Sequence, residues 1–171
     1  MGRVPVRSES PLVTPASVAR DLRDAVDAAG LRLSALSEEE ASRPLAPGKW
    51  SPKEVIGHLI DSVSHNHQRF VRARFVDHLE FVGYEQDRWV AEQRYASVPW
   101  TELVTLWRLY NLHLARVIEG TPPGVGESPR TRHNLDQIAW RPVPRDRPAT
   151  LLDFMDDYVG HLRHHLKQVL G

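Results

Sequence analysis

"SPKEVIGHLIDSVSHNHQRFVRARF", residues 51–75, decides how this chain folds. Ser51 offers a side-chain oxygen to the free amides of a helix start, and Pro52 suits the first helical position. Glu54 can reach back to the Ser51 amide, completing a capping box. Behind it Val55, Ile56, Leu59, Ile60, Val63, Phe70 and Val71 outline one apolar face at helical period. The spacing predicts a single long helix over roughly 51–76.

Upstream lies "EEASRPLAPGKW" (39–50), whose two prolines and glycine stop any helix. Before it, Val18, Leu22, Val26 and Leu31 form a stripe that predicts a helix from about Thr14, interrupted near Gly30. Residues 1–13 carry Pro and Ser without periodicity and read as a flexible N-terminal arm. Downstream, residues 77–97 are mixed, with a break at Gly83 and a short helix after it. From Pro99 a third long helix is expected, with Leu103, Trp107, Tyr110, Leu114 and Val117 on its core face and Gly120 as its stop. Six prolines in 121–148 forbid a long helix there. "TLLD" (150–153) then opens the last helix, with Leu152, Met155, Val159, Leu162, Leu166 and Val169 as its stripe. Four helices, two long connections and no strand alternation predict an all-α four-helix bundle, one domain over 14–171.

Composition narrows the functions. The chain has 171 residues, 41% hydrophobic and 26% charged, enough for one domain with a real core. Lys plus Arg equals Asp plus Glu at 22 each, so no basic excess argues for nucleic acid. No cysteine is present, which removes disulfides, thiolate metal sites and a cysteine nucleophile. "MGRVPVRSESPL" has no apolar run behind its arginines and does not read as a signal peptide, and no apolar stretch reaches the roughly 18–20 residues of a membrane span. A cytoplasmic protein fits these features. Its expected partners are a small-molecule substrate and, since such bundles often pair, a second copy in a homodimer; neither nucleic acid nor membrane is expected.

Nine histidines are the unusual feature. His161 and His165 in "GHLRHHLKQVLG" (160–171) are four apart and share one helix face, their Cβ atoms about 5–6 Å apart. Two imidazoles so placed can converge on a metal with Zn–N bonds of about 2.0–2.1 Å. His164 lies away from that face, toward solvent. A third ligand must come from elsewhere, and His58, beside the apolar face of the capped helix, is the best candidate. Asp61 and Ser62 follow on its side of the helix, suited to hold a ring or a water. His65 is two turns on, on the same face; His67 lies off that face. His78, His113 and His133 read as surface residues. On composition alone, a histidine-rich surface without a site accounts for all nine equally well.

"GKWSPKEVIGHLIDS" (48–62), the continuation ending "RFVRARF" (69–75), and "HLRHHLKQ" (161–168) together resemble the DinB/YfiT-like superfamily of metal-dependent enzymes. "GYEQDRWVAEQRYASVPWTELVTLW" (83–107) is similar to the matching segment of the YfiT-like branch, including Tyr84 and Trp89, and the resemblance covers about 45–171. It implies a bundle binding a divalent ion, zinc or nickel, through His58, His161 and His165. It also implies open coordination positions and, in related branches, transfer of a low-molecular-weight thiol. His65 stands where relatives tend to have Asn, with Asn66 beside it.

Three neutral imidazoles with an open position match a catalytic rather than a closed structural site. An ion there lowers the pKa of a water or an incoming thiol, whose thiolate attacks an electrophilic substrate. Asp61 and His65 are the candidates for catalytic proton handling, and Arg69 for holding a carboxylate of a thiol cosubstrate. Tyr84 and Trp89 either wall the pocket or cap the core, and Trp50 reads as a staple on Val55. The alternatives are a metal-dependent hydrolase, a non-catalytic metal-binding bundle of the stress-associated kind, and a metal-free interaction protein.

Overall fold

A computed structural model describes residues 12–171. Most of the expected arm, residues 1–13, lies outside the described residues.

Helix α1 spans Pro15–Ser34 and is opened by Thr14, whose side chain accepts from the Ser17 amide. Its buried face is Val18, Leu22, Val26, Ala29 and Leu33, while Leu31 is 80% exposed. Gly30 does not interrupt the helix: the 3.6-residue period continues through Ala29 to Leu33, so the expected place of Leu31 in the stripe is corrected. Short α2, Glu38–Ser42, forms ahead of Pro44 on a Ser37/Glu40 capping box that the prolines seemed to forbid.

Helix α3, Pro52–Arg72, carries the predicted capping box: Ser51 accepts from the Glu54 amide, and Glu54 Oε2 accepts from the Ser51 amide at 2.8 Å. It ends about a turn before position 76, because Arg130 takes the Ala73 carbonyl at 3.1 Å and Arg74 crosses to the carbonyls ending the next long helix. Phe75 is accordingly 81% exposed. Ser51 is buried, and Ser51→Ala loses the bond its hydroxyl accepts from the Glu54 amide and the one it donates to Glu54 Oε2, while the Ser51 amide keeps its half of the box; about 1 kcal/mol is expected, read as a melting temperature roughly 2–4 °C lower by calorimetry.

Residues 77–99 supply α4, Gln86–Glu92, and a single 3₁₀ turn at Tyr95–Ser97. Helix α5, Trp100–Glu119, buries Leu103, Trp107, Leu114 and Ile118, and Gly120 closes it. The proline-rich connection holds only one short helix, α6 at Leu135–Ile138, and two isolated bridges. It also buries His133, expected at the surface: the ring donates to the Arg147 carbonyl at 2.8 Å and accepts from the Leu135 amide. Helix α7, Leu151–Leu170, is capped by Thr150 and buries Leu152, Met155, Val159, Leu162 and Leu166.

The four long helices make an all-α bundle. Helix α1 packs against α5 and α7, and α3 packs against the same two. Consecutive long helices α1 and α3 therefore stand on one diagonal, α5 and α7 on the other. Each diagonal needs a long connection, which is why 35–51 and 120–150 are not tight turns. The outcome that matters for chemistry is that α3 and α7, remote in sequence, lie side by side. No helix among the described residues is long and apolar enough to cross a membrane.

Candidate metal centre

The α3–α7 contact brings His58 against His161 and His165. His58 Nε2 and His161 Nε2 are 3.4 Å apart, and one ligand atom from each of the three lies within 4.8 Å of the others. Among the described residues this is the one cluster of three His, Cys, Asp or Glu that can share an ion.

The donor set fits a divalent cation on three grounds. Two nitrogens each about 2.0–2.1 Å from a tetrahedral centre stand about 3.3–3.4 Å apart, which is the spacing of the His58–His161 pair. Burial, with the neighbouring imidazoles adding repulsion, pushes His58 down to about 4 and His161 down to about 3, and lowers His165. At neutral pH all three rings are therefore uncharged, the form that ligates. Finally, the His165 tautomer is set from outside. Gln168 Oε1 can only accept, and it lies 2.9 Å from His165 Nδ1, so that nitrogen holds the proton and Nε2 is bare. Ser62 Oγ stands 3.4 Å from His161 Nδ1 and, able to donate or accept, orients that ring. His58 Nδ1 is buried without a partner, and the Trp50 indole covers the ring with centroids 5.3 Å apart.

Gln168 is exposed, so its loss should leave the fold alone and loosen the ring it orients. Gln168→Ala is expected to weaken zinc binding by about 10-fold or more, at the lower end of what such partners contribute. Competition against a chromophoric chelator measures this, with an unchanged melting temperature as control.

The other expected site residues are close by but differently engaged. Asp61 is buried; its Oδ1 accepts from Tyr95 at 2.7 Å and from Gln93 at 2.5 Å, while Oδ2 has no partner. Burial raises the Asp61 carboxyl against the lowering effect of those two donors. His65 stacks on Tyr84 with centroids 4.1 Å apart and planes 5° from parallel, and Trp89 leans on it at 4.6 Å. Neither Asp61 nor His65 belongs to the three-histidine cluster. Arg69 is buried, donates to the Val82 carbonyl at 2.9 Å, and has no carboxylate partner among the described residues. His164 is exposed, as expected.

Two cavities meet at the cluster. One, of about 320 Å³, is bounded by His161, Ser62, Asn66, Arg69, Tyr84 and Trp140. The other, of about 530 Å³, is bounded by His165, Trp50, Leu45, Val55 and Lys49. Gln86, the first residue of α4, borders both. Trp50, read from sequence as a helix staple, is thus also a wall of the site. Gln93 and Tyr95 were not signalled, since they sit in an irregular segment without period. Gln168 shares the face of His161 and His165, and that was its one signal.

Three histidines from two adjacent helices, with cavities on either side, define a helical bundle built around a histidine-only centre of the kind that holds a divalent ion. The chain belongs to the DinB superfamily, whose family model matches residues 20–169. It is similar in structure to YfiT from Bacillus subtilis, described as "a probable metal-dependent hydrolase with an unusual four-helix bundle topology". That match has a TM-score of 0.75 at 14% identity and covers 99% of this chain and 91% of YfiT; at that identity it shows the fold. No curated protein matches the chain.

Proposed function

We propose that this protein is a divalent-metal enzyme that transfers a low-molecular-weight thiol to an electrophilic small molecule, with His58, His161 and His165 holding the ion. The observation that carries the reading is the convergence of three uncharged imidazoles between two cavities, one for each reactant. A bound zinc or nickel ion supplies Lewis acidity, which lowers the pKa of a thiol or water that reaches it. Ser62 and Gln168 keep the His161 and His165 rings turned toward it. Arg69, buried without a counter-ion, attracts a carboxylate of the thiol into the smaller cavity, because an unpaired buried guanidinium is costly and gains from an incoming anion. Asp61, with a free buried oxygen, and His65 are placed within a turn or two of His58 on α3 and serve as proton-handling groups.

Hydrolysis is the second reading, favoured by the likeness to YfiT and its description as a metal-dependent hydrolase. The test begins with tag-free protein loaded with zinc or nickel and analysed by elemental mass spectrometry, where about one ion per chain is expected. Loaded protein is then given a thiol with an amino-acid carboxylate, such as glutathione, and an electrophile. Consumption of the thiol supports transfer; product formation without thiol loss supports hydrolysis. Absence of stoichiometric metal after loading overturns both.

A further inference from the structure

The two cavities flanking the cluster differ in chemistry, and that difference identifies the class of the second reactant. The smaller cavity has Arg69 without a carboxylate partner, together with Ser62, Asn66 and the Tyr84 hydroxyl. Its one acid, Asp157, is already spent on the Trp140 and Arg141 amides, each at 2.8 Å, and on the Arg141 guanidinium. That wall is polar, and Arg69 is the charged group in it without a partner of opposite sign. The larger cavity has Trp50 and Leu45 as its apolar surface over buried Val55, with Gln86, Gln168 and His165 at its edges, and its two charged groups, Lys49 and Asp87, are of opposite sign. Its wall is the more apolar of the two, and its formal charges cancel.

The apolar wall is built rather than incidental. Residues 46–49 form a tight turn in which the Lys49 amide donates to the Ala46 carbonyl at 3.0 Å, with Pro47 and Gly48 at the centre. Gly48 adopts φ of +71°, the left-handed value a type II turn requires at that position. The Leu45 amide donates to the Trp50 carbonyl at 3.1 Å across the same turn. Leu45 and Trp50 are thereby fixed as neighbours, and Leu45 remains 41% exposed although it is a large apolar side chain. The indole on its other side covers His58. An apolar molecule seated on Trp50 therefore lies beside the three histidines, opposite the cavity that suits an anion.

We propose that the Trp50–Leu45–Val55 cavity is the subsite for the electrophile, and that this reactant is an uncharged, ring-bearing apolar molecule. At about 530 Å³ the space suits a ligand of one or two rings. The assignment rests on the reading of the cluster as a two-reactant centre, with Arg69 serving the anionic partner. Trp50 is then a specificity-determining residue: its ring offers a flat surface at little conformational cost.

The test is calorimetric titration of zinc-loaded full-length protein with three probes of one shape: 2-naphthalenemethanol, 2-naphthoate and 2-naphthylmethylamine. The alcohol is expected to bind at least about tenfold more tightly than either charged probe, since a charge must be desolvated against the apolar wall. Trp50→Ala and Leu45→Asp are each expected to weaken it by about tenfold or more, and Arg69→Ala to leave it unchanged. Leu45 sits at the rim, so its variant reports even where Trp50→Ala fails to fold. Tighter binding of the naphthoate, indifference to Leu45→Asp, or a loss on Arg69→Ala overturns the assignment. Metal content is measured on the same samples. A protein without metal that still binds the alcohol sinks the enzymatic reading but not the cavity; a metal-loaded protein that ignores it sinks the cavity alone.

Discussion

His58→Ala protein, loaded with zinc or nickel and freed of excess ion, is expected to retain almost no metal, whereas the parent is expected to retain about one ion per chain. The same is expected of His161→Ala, whereas His164→Ala should keep the full complement. The reason lies in the division of ligands between helices. His161 and His165 share α7, and a pair on one helix is a weak chelate; His58 reaches them from α3, its Nε2 standing 3.4 Å from that of His161. Removing it deletes a third of the donors and opens the side that Trp50 covers. His164 is the matched control: it lies on the same helix turn, is exposed, and does not belong to the cluster. Elemental analysis of the three variants decides the matter. Because His58 is 1% exposed, urea unfolding of metal-free parent and variant separates lost ligation from lost packing. Full metal in either His58→Ala or His161→Ala would place the ion elsewhere.

Gly57→Ala is expected to destabilise the protein by about 3 kcal/mol or more, the upper end for overpacking. Two effects oppose one another. Alanine is the better helix former inside α3, by about 1 kcal/mol. Against this, a Cβ at position 57 would stand 2.2 Å from Tyr95 Cγ and Cδ2 and 2.8 Å from Tyr95 Cβ. These atoms lie next to the backbone and cannot swing away as a side-chain tip does, so the clash wins and the 3₁₀ turn at 95–97 must shift. Arg94, just before it, already holds a left-handed φ of 52°, leaving little conformational slack. A shift also pulls the Tyr95 hydroxyl and Gln93 off Asp61. Thermal unfolding should show a loss of roughly 10 °C. The same substitution in a Tyr95→Ala background should cost less, a coupling expected of residues in contact. A Gly57→Ala protein that melts higher than its parent contradicts the seating of Tyr95 on α3.

What the residues disclose in advance follows from how local their causes are. Ser51 to Glu54 form a self-contained cap, and Val55 to Phe70 repeat at helical period, so α3 was legible from its own sequence. The pair His161 and His165 was legible for the same reason. That His58 joins them depended on resemblance as well as on its place beside an apolar face, since the α3–α7 contact is a property of the whole bundle. Leu31 was misplaced because Gly30 looked like a break; inside a packed helix the period simply continues to Leu33. His133 looked like a surface residue because its partners, the Arg147 carbonyl and Leu135 amide, are backbone groups of an irregular connection that no pattern predicts. Gln93 and Tyr95 were hidden likewise: a left-handed Arg94 between them turns both toward Asp61, and nothing in the alphabet of residues marks that turn.

The distance along the chain between His58 and His161, 103 residues, carries a last consequence under the proposed reading. An ion shared by those rings is a cross-link that closes most of the polypeptide into one loop, in a chain that has no cysteine with which to make a covalent one. In chain-entropy terms, a permanent tie across a loop of that length restricts the unfolded ensemble by about 4–5 kcal/mol. A coordinated tie acts only while the ion stays in place, so its removal by a chelator hands that freedom back. Resistance to proteolysis and to heat then becomes a function of how much free metal surrounds the protein.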